Sequence, residues 1–65
     1  MGAAIDRERI IRAAAEHRVA AQRVQKFLEE HPDPDENELR ELRILVRLAR
    51  DASRRLLDAT EPPTS

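Results

Sequence analysis

Prolines fall at only two places in this 65-residue chain: Pro32 and Pro34 in the middle, and Pro62 and Pro63 near the end. The stretches between them, 3–30 and 35–61, contain neither Pro nor Gly and are rich in Ala, Arg, Glu, Gln and Leu, all good helix formers. Pro32 disfavours helical geometry at His31 and so ends the first run. Asp33 then reads as the cap of a second helix, with Pro34 at its first position and Glu36 at capping-box spacing. Asp35, Glu36 and Glu38 add negative charge where the second helix dipole is positive. The expectation is an all-α antiparallel helical hairpin forming one domain over 1–61, with helix one over about 4–31 and helix two over about 34–60. A link of about three residues keeps two such helices adjacent. The Pro-rich tail, 62–65, cannot continue a helix and is expected to be disordered.

So short a chain buries only about 60% of its unfolded surface, and small scaffolds usually need a disulfide, a metal or oligomerisation as a staple. The chain has no Cys, which removes the disulfide and the commonest structural zinc ligands. His17 and His31 are too few for a typical metal site, and no cofactor is expected. Nucleophilic catalysis lacks its parts: no Cys, and few hydroxyls, of which only Ser53 lies in a helix body, with no His at helical spacing. Gly2 is the only Gly, so there is no phosphate-cradling loop. Glu16-His17 and Glu30-His31 are adjacent rather than three apart, which breaks the di-iron bundle pattern. The chain does not read as an enzyme.

Self-association is left as the staple, and the helix faces support it. Helix one carries an apolar stripe at Ile10, Ala13, Ala14, His17, Ala20, Ala21, Val24, Phe27 and Leu28, smooth because four of the nine are Ala. Helix two answers with Leu42, Leu45, Val46, Ala49, Ala52, Ser53 and Leu56. Leu39, Leu48 and Leu57 widen that band to about half the circumference. The expected register sets Val24 near Leu42, Ala20 and Ala21 near Leu45, and Ala13 and Ala14 near Ala52. One helix cannot cover so broad a band, so two hairpins pairing into a four-helix bundle is the simplest completion. Leu39, Leu45, Val46, Leu48 and Leu57 are the candidate oligomer interface. Ile11 and Val19 join them, because with Ala15 they form an i, i+4, i+8 row that is either a second contact face or scattered surface. His17 reads as a half-buried, hydrogen-bonded histidine in preference to a pH switch or ligand. His31 should meet the last carbonyls of helix one.

Arg40, Arg43, Arg47, Arg50 and Arg54 recur at spacings of three and four, which sets them along one side of helix two. They are the candidate partner-binding residues. The plainest reading is a solvated face with Arg47–Asp51 and Arg54–Asp58 neutralised at i, i+4. An acidic protein surface comes next, and a nucleic-acid backbone after it, because no aromatic residue is free to stack on bases. A pair of such hairpins resembles in architecture the Rop-type bundle, a small dimeric RNA-binding protein, and that likeness adds weight only to the fold. Twelve basic residues against 13 acidic give a net charge of −1, hence no global field toward nucleic acid or membrane. Eleven of the twelve are Arg, and with ten Ala this composition points to a GC-rich bacterial or phage genome. With no apolar run of membrane-spanning length, no signal-peptide pattern, and Asp6 where a myristoylation motif needs Ser or Thr, a cytoplasmic, membrane-free protein is expected. The function expected is a small oligomeric protein–protein interaction module or assembly component; the alternative is a nucleic-acid-binding regulator using the arginine line.

Overall fold

The computed structural model describes residues 6–61. They form two helices, α1 at Arg7–Glu30 and α2 at Glu36–Thr60, packed against each other as an antiparallel hairpin. The expected tail at 62–65 and the expected start of helix one near residue 4 lie outside the described residues. Helix one begins at Arg7 because Asp6 is extended and its Oδ1 accepts hydrogen bonds from the backbone N–H groups of Glu8 (3.1 Å) and Arg9 (3.3 Å). Those are orphan donors of the first turn, and Asp is among the best side chains for satisfying them.

Helix two starts two residues later than the proline spacing suggested. Its cap is Asp35, not Asp33, and the box partner is Glu38, not Glu36. The Glu38 N–H donates to Asp35 Oδ1 at 2.9 Å, and the Asp35 N–H donates to Glu38 Oε1 at 3.0 Å. The chain offers two overlapping Asp-x-x-Glu spacings, 33–36 and 35–38. The second wins because Glu38 has further work for its other carboxylate oxygen, which meets His31 across the link at 3.0 Å. It also sets half-buried Pro34 just before the cap and Leu39 at the fourth helical position, the spacing of a hydrophobic staple.

The register across the seam differs as well. Glu16 pairs with Arg55 at 3.3 Å, and Ala13 shares a hollow with Ala59 rather than with Ala52. Ala20 neighbours Leu48 and Ala52. The pairing thus runs about one and a half to two helical turns further along α2 than expected. The expected chemistry of the seam survives: alanines let the two backbones approach, and the larger side chains flank them. The buried residues among those described are Ala13, Phe27, Ala52 and Ala59, with Ala52 only 1% exposed. Leu42, Leu45 and Leu56 are half-buried beside them.

The result is a slab one helix thick. One seam cannot enclose a core, and large apolar side chains such as Leu57, Ile11 and Ile44 stay more than half exposed. The capping assignment is directly testable by chemical denaturation. Asp35→Ala should cost about 1 kcal/mol, whereas Asp33→Ala should stay within about 0.5 kcal/mol of the parent. Equal effects at the two positions would return the cap to the earlier aspartate.

Candidate functional site

Helical geometry sorts the apolar residues left outside the seam. At 100° per residue, positions nine apart lie on opposite sides of a helix. Leu48 is nine residues from both Leu39 and Leu57, and Val19 is nine from Leu28. Val19 and Leu48 line a common hollow, so they share one broad face of the slab, and Leu28, Leu39 and Leu57 share the other. The wide leucine band of α2 is therefore split by α1 into two flanks that emerge on opposite faces.

The first face carries Leu28, Leu39, Val46 and Leu57, all exposed, with Leu57 at 64%. Half-buried Ile10, Ala14, His17, Val24, Leu42, Ala49 and Ser53 continue it. His17 is half-buried as expected, but among the described residues its ring has no hydrogen-bond partner. Across this face the large side chains sit toward the two ends, and His17, Ala21, Ala49 and Ser53 make a shallow middle.

The second face carries Val19, Leu48 and Ile44, with Ala20 and Ala52 forming the floor of a hollow of about 400 Å³ and Ala15 on its outer margin. Arg12, Arg23 and Arg55 stand around it, and Glu16 holds Arg55. Ile44 is 55% exposed and was not singled out in the sequence, although its i, i+4 spacing to Leu48 is the signal that finds it. Of the other candidate interface residues, Leu45 is half-buried in the seam and Ile11 is exposed on the outer edge of α1. The row Ile11, Ala15, Val19 drifts about 40° per step, so only its last two members reach the hollow.

Arg40, Arg43, Arg47, Arg50 and Arg54 are all exposed and follow the outer edge of α2. Arg47, Arg50 and Arg54 line one shallow groove of about 740 Å³ with Asp51, Asp58 and Leu57, which joins this ridge to the first apolar face. The expected pairs Arg47–Asp51 and Arg54–Asp58 do not form: among the described residues, ion pairs within 4 Å occur only at His31–Glu38 and Arg55–Glu16.

At the link, His31 does more than cap. Its Nδ1 lies 3.0 Å from the Phe27 carbonyl, its Nε2 lies 3.0 Å from Glu38 Oε2, and its ring stacks on Phe27 at 4.2 Å between centroids. Both partners are acceptors, so a ring protonated on both nitrogens donates at each end. The contact to the last carbonyls was legible; the clasp to Glu38 was not, because it spans the link. Glu38 thus closes the α2 cap with one oxygen and holds the end of α1 with the other. A double-mutant cycle on His31→Ala and Glu38→Ala should show a coupling of about 0.5–1 kcal/mol, and a value near zero would leave the clasp without energetic weight.

Among the described residues no three of His, Asp and Glu converge as metal ligands would, and no helix is long and apolar enough to cross a membrane. No family model matches the chain, and neither the curated proteins nor the solved structures compared with it give a match.

Proposed function

We propose that this chain is a small non-enzymatic interaction module that self-associates through the face bearing Leu28, Leu39, Val46 and Leu57. The observation that carries this reading is the row of large apolar side chains left in solvent on that face: Leu28, Leu39, Val46 and Leu57 are 44–64% exposed. The residues between them are small or half-buried, so a second copy can approach closely and cover them. Two hairpins stacked there give every helix two neighbours, which is the condition a bundle core needs.

A second reading draws on the arginine ridge. Five exposed guanidiniums without an acidic partner within 4 Å suit an acidic protein surface, or failing that a phosphate backbone. The apolar face and the ridge lie side by side, so one assembly could use both. Salt separates the two chemistries. Binding to nucleic acid through the ridge weakens steeply as salt rises, whereas association through the leucine face does not.

Sedimentation equilibrium at micromolar concentration should give a mass of about twice the 7.5 kDa chain or more. Val46→Asp or Leu57→Asp should return the chain to a monomer with reduced helicity. A stably folded monomer in the parent protein would overturn self-association. Leu45→Ala and Leu56→Ala, at the edge of the seam, should each cost about 2–5 kcal/mol. Replacing Arg43, Arg47 and Arg50 together by Ala should leave helicity and mass unchanged and remove binding to anionic partners. Loss of the assembly on that substitution would mean that the ridge is itself an interface.

A further inference from the structure

We infer that the hollow between Val19 and Leu48 is a docking site for a helix of another protein, one with an apolar stripe flanked by carboxylates. The inference concerns the face opposite the one proposed for self-association and does not depend on that reading. The hollow has the features of a helix-receiving groove. Its floor is Ala20 and Ala52, small enough for a third backbone to approach. Its walls are Val19 and Leu48, 48% and 46% exposed, each still lacking half of its apolar contacts. Ile44 extends the apolar strip one turn toward the link.

The rim sets the chemistry of the occupant. Arg12 and Arg23 stand on the α1 side, eleven residues or about 16 Å apart along the axis. That span matches three turns of a docked helix, with one carboxylate near each end. Arg55 stands on the α2 side and is already committed to Glu16 at 3.3 Å. Among the described residues, neither Arg12 nor Arg23 has a carboxylate within 4 Å. Leucine-sized walls between two open guanidiniums select a partner that is apolar in the middle and acidic at the flanks. A nucleic acid would meet the guanidiniums but gain nothing from Val19, Leu48 and Ile44. A second copy of this chain is the other occupant that the test must separate: six of its 13 carboxylates, Glu29, Glu30, Asp33, Asp35, Glu36 and Glu38, lie within ten residues at the link, beside Leu28 and Leu39.

The test uses the full chain and three fluorescent synthetic peptides of about 20 residues, long enough to cover the groove as a helix. One has Leu on one face with Glu flanking, the second has Lys in place of Glu, and the third has Ser in place of Leu. Fluorescence anisotropy should show binding of the Leu/Glu peptide only. Arg12→Glu with Arg23→Glu should weaken it by about tenfold or more, and Leu48→Asp should abolish it. Arg43→Glu with Arg50→Glu, on the other side of the molecule, should leave it unchanged. Circular dichroism and mass are measured on every variant, so loss of fold is not mistaken for loss of binding. Equal binding of the Glu and Lys peptides, no binding of any peptide, or tighter Arg12- and Arg23-dependent binding of an oligonucleotide would overturn the proposal. So would dissociation of a parent oligomer by Leu48→Asp, which would make the hollow a contact between copies. A parent chain that stays monomeric yet binds the Leu/Glu peptide in this way would defeat self-association and leave the docking site standing.

Discussion

Two helices share one seam, and a seam between two cylinders shields only the strip of each that faces the other. Everything else in this molecule is arranged around that limit. The strip is filled with Ala13, Ala20, Ala52 and Ala59, which bring the backbones close but bury little area per residue. Phe27 is the one large side chain that the seam buries. The leucines of α2 are too many and too widely spread for the strip, so they spill to either side. The hairpin therefore has apolar flanks by construction, and its surface chemistry follows from which charged residues border each flank.

The borders differ. On the Leu28 side the apolar field is broad, and its middle is shallow, polar at His17 and Ser53. On the Val19 side it is narrow and ringed by guanidiniums. The ridge of Arg40 to Arg54 runs along the outer edge of α2. Against these basic surfaces stands the link, where six carboxylates lie within ten residues. A net charge of −1 conceals an uneven distribution: six of the 13 acidic residues lie at the link, while Glu16, Asp51 and Asp58 sit among the arginines. Electrostatic selectivity depends on such local distribution more than on the total.

The hairpin was legible because its signals are local. Two proline pairs bound two glycine-free runs, and periodicity within each run gives the inward stripe. What the sequence left open is what depends on contact across the link. Two overlapping Asp-x-x-Glu spacings are equivalent as local caps; the choice of Asp35 follows from the reach of Glu38 to His31, which no window on one helix contains. The register differs too, by about one and a half to two turns. The width of the leucine band was readable, but its division was not, since Leu39, Leu48 and Leu57 become residents of opposite faces only once α1 is laid along the middle. The five arginines at three- and four-residue spacing are all exposed, as helical geometry on one side of α2 implies. Their neutralisation by Asp51 and Asp58 is not seen: i, i+4 spacing puts opposite charges within reach without obliging solvated side chains to pair.

The clasp at the link also makes the hairpin a lever. Each helix extends roughly 36 Å from it, so a splay of about 5° there opens the far end by about 3 Å. Near the fulcrum, the helices are held by the Phe27–His31 stack, the His31–Glu38 contact and the capping box. Towards the far end, among the described residues, Glu16–Arg55 is the one ion pair across the seam, with only Ala13 and Ala59 buried beyond it. Small angular freedom at a well-fastened hinge is thus amplified into separation at a lightly fastened tip. A body laid across both helices near that tip would act with the full mechanical advantage of the arm, fixing the hinge angle from a distance.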